Sequence, residues 1–309
     1  MLARSENTAL TYRKALSSFS QTLFDNHLPI KQTDIKDLPE DSISWFATDL
    51  KPYSPATERL YLTAAAGFFE FLAAERLSNP NLPRIRLLIR QRSRKQGQRL
   101  PQFPREHIDN IINYAINIDI FTASDPNEKL RNLRDRAFLL TLADTGLRVH
   151  EACQLRRGDL DWNEAKAIII GKGDKQAIVR FSNRSLAAIK DYLSARSLLD
   201  GGSGRPLASL HIFARHDKGA GKKIKPITPT TGRNIVTQRV REALGDEVAR
   251  TITPHSFRHY FVTTVLRSSG GNLKMAQELA RHQNISVTQR YAHLSDEELD
   301  QGYYEIFDR

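Results

Sequence analysis

The sequence predicts a mainly helical chain carrying one small antiparallel β-sheet in its second half (α+β), and three observations lead there. Apolar residues recur at three- and four-residue steps over long stretches, the mark of helices that bury one face. Two short β-branched runs, 167–170 and 176–181, flank Gly171-Lys172-Gly173-Asp174, which reads as a hairpin. Between residues 84 and 105 lies a basic stretch with glycine and prolines that separates a helical first part from a mixed second part.

Taken in order, residues 8–24 carry Leu10, Tyr12, Leu16, Phe19 and Leu23 at helical spacing, and a shorter run covers 43–50. Ser54 followed by Pro55 supplies an N-cap and a first-turn proline ahead of Leu60, Leu62, Ala65, Phe68, Phe69, Phe71 and Leu72. A last short helix is expected near 85–89, closing a compact helical domain over residues 1–90. Residues 84–105 hold eight basic side chains and no acidic one, and Gly97, Pro101 and Pro104 favour an extended connector over 91–104. With no acid to neutralise it, this connector is expected to follow a phosphate backbone through Arg84, Arg90, Arg92, Arg94, Lys95 and Arg99; the alternative is a solvated tether. Helices are then expected near 106–116 and 132–143, followed by the hairpin and a mostly helical remainder from 185, giving a second domain over 105–309.

Composition narrows the partner. Lys plus Arg number 46 against 35 Asp plus Glu, a formal charge of +11 with a pI near 9.8, which suits a protein that meets a polyanion, nucleic acid first, although a basic surface also serves solubility. Cys153 is the single cysteine, so an intrachain disulfide framework is excluded and a reducing compartment fits. The opening MLARSENTALTYRKAL has no apolar run of the signal-peptide kind, and no stretch approaches the ~20 apolar residues that span a bilayer. A soluble, cytoplasmic, nucleoid-associated protein that makes no membrane contact is expected.

Four segments carry chemistry. In TGLRVHEACQL, Thr145 is expected to cap a helix starting at Gly146, with Arg148 in its first turn and Glu151 one turn on. A cation there is costly unless an anion is bound, although an i,i+3 surface pair is the simpler account. Lys172 sits at the glycine-flanked hairpin tip, free to approach a groove or merely solvated. In TPHSFRHYF, Ser256 can cap, and His255 and Arg258 project from one side of a helix running to about residue 266. His255 and His259 also have the i,i+4 spacing of a zinc pair, yet no Glu follows the first histidine, no cysteine partner is at hand, and Arg258 would repel a cation; no metal is expected. In ELARHQNISVTQRYAHLS, His282 ends a short helix, Ser286 opens the next, and Tyr291 lies within it. Each segment alone is bland. Together, two arginines, a lysine, two histidines and a tyrosine supply what phosphodiester cleavage by a phenol needs: a nucleophile, cations on the non-bridging oxygens, and an acid for the leaving oxygen. Such chemistry calls for no cofactor.

The segments TGLRVHEACQL, IIIGKGDKQAIVRF, TPHSFRHYFVT and LARHQNISVTQRYAHLS resemble the tyrosine recombinase, or phage integrase, family, and within it the simple Xer-like members; the resemblance extends over nearly the whole chain. It implies a two-domain, C-shaped DNA clamp in which the 1–90 unit is a core-binding domain and 105–309 the catalytic domain. It implies further that Arg148 and Arg258 clamp the scissile phosphate, Lys172 acts as general acid, and His255 assists proton transfer. His282 would bond the phosphate or orient the nucleophile, Glu151 would support the site, and Tyr291 would attack. The expected activity is site-specific recombination of double-stranded DNA through a 3′-phosphotyrosine intermediate and a Holliday junction, by a homotetramer on two duplexes.

Two features depart from or extend the pattern. Ala280-Arg281-His282 stands where family members commonly have glycine before the second histidine, which alters the expected backbone path and offers an added DNA contact. Nothing before residue 7 matches an arm-type DNA-binding domain, so a simple core site is expected. The tail HLSDEELDQGYYEIFDR has Ser295 and Glu298 as a capping box, with Leu299, Tyr303, Ile306 and Phe307 on a terminal helix, expected to exchange between subunits or to pack on its own domain. Tyr303 and Tyr304 are rival nucleophiles by type but lack a histidine at the matching spacing. The other readings to be separated are a type IB-like topoisomerase or telomere resolvase, and a DNA-binding protein without catalysis.

Overall fold

The computed structural model describes residues 6–29, 33–94, 105–118, 125–171, 176–217, 219, 224–289 and 291. Lys95, Arg99, Lys172 and the terminal helix expected from Ser295 onward lie outside the described residues. The chain divides into two compact units, Met1–Arg99 and Leu100–Arg309.

The first unit is built from α1 (Glu6–Asp25), α2 (Ser42–Asp49), α3 (Pro55–Ala74) and α4 (Leu82–Arg92). Ser54 accepts from the Thr57 amide at 3.2 Å and Asn81 from the Arg84 amide at 3.0 Å, so α3 and α4 each begin on a side-chain cap with a proline in the first turn. Phe19, Phe46 and Phe69 meet at its centre, with Phe19 ring centroids 5.1 Å from Phe46 and 6.2 Å from Phe69. Leu60 and Phe71, part of the apolar run of α3, face solvent instead, because the stripe Leu62, Ala65, Phe69 and Leu72 already fills the inward side. The connector also starts later than residue 91: Gln91 and Arg92 complete α4, since no glycine or proline interrupts it there, and the helix closes with the Ser93 amide on the Ile89 carbonyl. Arg94 then folds back onto the fully buried Glu58 carboxylate, its Nε at 2.5 Å and its amide at 3.0 Å, with Lys51 on the same carboxylate at 3.1 Å. Arg84 pairs with Asp41 at 2.8 Å, while Arg90 and Arg92 are exposed on the last turn of α4.

In the second unit α5 (Arg105–Ile116), α6 (Pro126–Thr145) and α7 (Val149–Gln154) precede an antiparallel sheet of β1 (Leu160–Asp161), β2 (Lys166–Ile170) and β3 (Gln176–Arg180). Helices α8 (Asn183–Ala195), α9 (Ser197–Gly201), α10 (Pro229–Leu244), α11 (Asp246–Ala249), α12 (Pro254–Ser268), α13 (Leu273–Ala280) and α14 (Ile285–Gln289) follow. The fold is thus mainly helical with a small sheet in the second unit. Strands β2 and β3 pair from Lys166 with Arg180 to Ile170 with Gln176, and the two-residue period turns Ala167, Ile169 and Val179 inward and Ile168, Ile170 and Ile178 outward.

Helix α6 begins polar and is buried and largely apolar from Ala137 to Ala143; α5, α8 and α12 pack on it, which makes it the axis of this unit. Beside the core, Arg196 is fully buried and donates to the carbonyls of His211 (2.9 Å) and Ile212 (2.7 Å), to Asp200 (3.2 Å) and to the Tyr192 hydroxyl (3.0 Å). The same hydroxyl meets His216 Nε2 at 2.7 Å. Burial, then Arg134, Arg196 and Arg131, push the His216 pKa down to about 3, so the ring is neutral in the fold.

Replacing Arg196 by alanine leaves the buried carbonyls of His211 and Ile212 without this donor and Asp200 with Arg157 alone, and should lower the unfolding free energy by about 3–5 kcal/mol in urea titrations. His216 contributes a pH dependence of definite sign. The unfolded chain takes up a proton below an ordinary histidine pKa of ~6.5, the folded chain only near the depressed value, so its contribution is complete above ~6.5 and is lost as pH falls toward 3. Urea titrations at pH 7 and pH 5 should show the loss, and His216→Gln should reduce it.

Candidate active site

The site starts from how α6 ends. Gly146 takes a left-handed conformation (φ 59°) and a Cβ there would lie 2.5 Å from the Phe261 ring, so both the turn and the close approach demand glycine. Thr145 is therefore the last residue of α6, its hydroxyl on the Thr141 carbonyl at 2.6 Å, and not the cap of the next helix. Arg148, expected in a first turn, is itself the N-cap of α7. Its amide donates to Glu151 Oε2 at 2.8 Å and its Nη1 to Oε1 at 2.9 Å. The Arg148 side chain keeps 42% of its surface exposed, while Glu151 is buried.

Helix α12 brings Arg258 to the same place. The Thr253 amide donates to Ser256 Oγ at 3.1 Å, so Ser256 closes the first turn from inside the helix while Thr253 occupies the cap position. One turn in, the Arg258 guanidinium is buried and donates to the carbonyls of Gly146 and Ala280, the C-terminal ends of α6 and α13, where a cation is favoured. The terminal nitrogens each retain a second N–H for another acceptor. Burial, then Arg148 and Arg281, lower the Arg258 pKa to about 10.

Arg281 occupies the position that departs from the family pattern. It adopts the left-handed conformation (φ 58°, ψ 45°) that caps α13, so the backbone path glycine would provide is kept at the strain such an angle costs other residues. The side chain turns inward, 11% exposed, with Nη2 3.1 Å from Glu151 Oε2, where it meets a protein carboxylate and not an open surface. Burial raises the Glu151 pKa, but Arg281 and Arg148 outweigh it and the net value is lowered, so the carboxylate is charged. Three guanidiniums, Arg148, Arg258 and Arg281, thus face one carboxylate. That surplus positive charge is what a bound anion would relieve.

The aromatic side of the site comes from α12 and the α13–α14 turn. His282 follows the Arg281 cap; it is buried, with Nδ1 2.8 Å from the Thr288 hydroxyl, and burial followed by Arg258 and Arg148 lowers its pKa to about 4. Tyr291 lies two residues past the end of α14, not within it, its amide on the Thr288 carbonyl at 3.0 Å. The helix begins only at Ile285, after Asn284 accepts from the Ser286 amide, and five residues carry it no further than Gln289. The Tyr291 ring stacks on His282 (centroids 6.1 Å, 16°) and meets His259 edge to face at 4.6 Å; its hydroxyl lies 3.5 Å from His259 Nε2. His255 is exposed, its ring 4.5 Å from that of His259, and its pKa is lowered by desolvation and by Arg258 and Arg148.

The fold therefore gathers Arg148, Glu151, His255, Arg258, His282 and Tyr291, and adds three residues that sequence reasoning did not assign to this chemistry: Arg281, His259 and Thr288. His259 was visible at i,i+4 from His255, but only as half of a metal pair; among the described residues no group of three or more His, Cys, Asp or Glu is arranged to hold a metal.

The phage integrase family matches residues 114–298. Tyrosine recombinase XerC of Bacillus pumilus is 33% identical over 242 residues, covering 78% of this chain and 72% of that protein. XerC of Treponema denticola is 28% identical over 309 residues, 95% of each chain. Among solved structures, the XerH site-specific recombinase bound to palindromic difH substrate superposes with a TM-score of 0.68 at 18% identity, over 95% of this chain and 78% of that one. The Tn1549 transposon integrase in complex with transposon right end DNA gives 0.67 at 17%, over 99% and 95%. The chain belongs to the phage integrase family, as a Xer-like tyrosine recombinase.

Proposed function

We propose that this site cuts and reseals double-stranded DNA, with Tyr291 as nucleophile and with Arg148 and Arg258 holding the scissile phosphate. The observation that carries the reading is the surplus of guanidinium charge beside a tyrosine hydroxyl that sits among histidines. The phenol oxygen attacks phosphorus, the bond to the 5′ oxygen breaks, and the 3′ end is left as a phosphotyrosine ester that retains the energy for resealing. Arg258, fixed at two helix ends, and Arg148, steadied by Glu151, are preorganised for the charge that grows on the non-bridging oxygens. Lys172, on the β2–β3 connection, is assigned the general acid, His255 a part in proton transfer, and His282 the orientation of Tyr291.

Recombination at a specific site follows from family membership, and the Holliday-junction pathway and a homotetramer on two duplexes are proposed with it. In the same scheme the first unit is the core-binding domain, the segment 91–104 follows the DNA backbone, and the chain end is exchanged between subunits. Exposed Arg90 and Arg92 are the better DNA contacts of the basic stretch, since Arg94 and Arg84 already hold carboxylates. Among the described residues no helix is long and apolar enough to cross a membrane; action on DNA in the cytoplasm is proposed.

On a nicked suicide substrate, Tyr291→Phe should abolish the covalent protein–DNA adduct while leaving the mobility shift of the bound duplex unchanged. Glu151→Ala releases both Arg148 and Arg281, and single-turnover adduct formation should slow about 100-fold through lost orientation.

A further inference from the structure

The Arg281 side chain is unfavourable where it stands. Its backbone holds a left-handed angle (φ 58°) that suits glycine better. Its guanidinium makes one bond, Nη2 to Glu151 Oε2 at 3.1 Å, while Nε and Nη1 are buried with no hydrogen-bond partner among the described residues. The turn does not need this side chain. The amides of Arg281 and His282 donate to the carbonyls of Glu278 and Gln277, both at 3.0 Å, and Gln277 Nε2 donates to the His282 carbonyl at 3.1 Å. Nor do the buried nitrogens lie on a surface that a DNA phosphate could reach. What the side chain adds is a charge, placed against Glu151.

Glu151 is already held by Arg148, whose amide meets Oε2 at 2.8 Å and whose Nη1 meets Oε1 at 2.9 Å. Those two side chains alone form a neutral pair, and buried Arg258 would then be the whole surplus, one positive charge for the one negative charge of a phosphodiester. With Arg281 the described cluster has three guanidiniums against one carboxylate, a surplus of two. We propose that Arg281 is a positioning residue for cleavage: by sharing Glu151 it leaves Arg148 and Arg258 with more positive charge than the bound phosphate neutralises, and the excess is met only as charge grows on the non-bridging oxygens. The assignment rests on Arg148 and Arg258 holding the scissile phosphate.

A surplus equal to the charge of the substrate favours binding, whereas a surplus beyond it favours the transition state and so raises the rate with little effect on affinity. The electrostatics of the cluster agree with this count. Burial lowers the Arg281 pKa, Glu151 opposes it and Arg148 adds to it, while Arg258, at about 10, feels Arg148 and Arg281 after burial. The guanidiniums nevertheless stay charged near neutrality. His259 and His282, both lowered to about 4 and first of all by burial, are neutral there and add nothing to the sum.

The test uses the full chain and the nicked suicide substrate, with adduct formation followed in single turnover. Arg281→Gly, which suits the backbone angle, and Arg281→Gln should bind the duplex within about twofold of the wild type and form adduct about tenfold more slowly, while Arg281→Lys, which keeps the charge, should stay within about threefold. On a duplex with a methylphosphonate at the scissile position, which lacks one non-bridging charge, the gap between wild type and Arg281→Gly should shrink to about twofold. Wild-type rates in the glycine and glutamine variants overturn the assignment, as does a lysine variant as slow as the glutamine one. An equally large loss in Arg281→Gly on the methylphosphonate also overturns it, since the side chain would then brace the turn and not set the charge. Adduct formation by Arg148→Ala at the wild-type rate would instead remove the phosphate clamp on which this assignment stands.

Discussion

The buried guanidinium of Arg258 is the interaction on which the site's geometry depends. It sits where α6 and α13 end, bonded to the carbonyls of Gly146 and Ala280, and so joins segments that are more than a hundred residues apart in the chain. Both carbonyls belong to helix termini, whose acceptors have no partner within the helix, and the cation satisfies them while meeting the negative ends of two helix dipoles. Gly146 must take its left-handed turn for this to happen, and the same turn sets the start of α7, where Arg148 caps and Glu151 folds back. Ala280 in turn precedes Arg281 and His282. One side chain thereby registers the turn that leads to Arg148 against the segment that carries Arg281, His282 and Tyr291.

Around that anchor the protein concentrates positive charge and leaves it undercompensated. Arg148, Arg258 and Arg281 share one buried carboxylate, and burial, then repulsion from the neighbouring guanidiniums, lowers the pKa values of Arg258 and Arg281. Such an arrangement lowers the stability of the empty protein, since the cations are held close without full neutralisation. In the proposed reaction a phosphodiester would relieve part of it, and the transition state, with more charge on its non-bridging oxygens, would relieve more. Arg281 adds a charge where glycine would suffice for the backbone, and its pairing with Glu151 ties the turn before His282 to the N-terminus of α7.

The three histidines divide by environment. His282 is locked by Thr288 and stacked under the tyrosine, which suits it to holding the ring. His255 is exposed at the mouth. His259 lies between, against the hydroxyl. All three have lowered pKa values, first because burial disfavours a charged imidazole and then because each would add to the positive charge already present.

The sequence by itself determined the local elements and the cast of the site. Cap-and-proline pairs such as Ser54-Pro55, the apolar periodicity of the helices and the β-branched runs on either side of residues 171–174 depend on near neighbours alone, and helix and strand positions follow from them. The resemblance named Arg148, Arg258, His282 and Tyr291 because their types and spacing are local too. Tertiary structure decided the rest. Thr145 reads as a cap in isolation, yet it ends α6, because Gly146 beside Phe261 forces the turn. Arg94 reads as a free cation in a basic run, yet a carboxylate buried in α3 holds it. Arg281 reads as an intrusion on the backbone path, and only the position of Glu151, 130 residues earlier, explains where its charge goes. His259 looks like half of a metal pair until α14 sets Tyr291 against it. In each case the deciding partner is distant in the chain, and no short-range pattern records it.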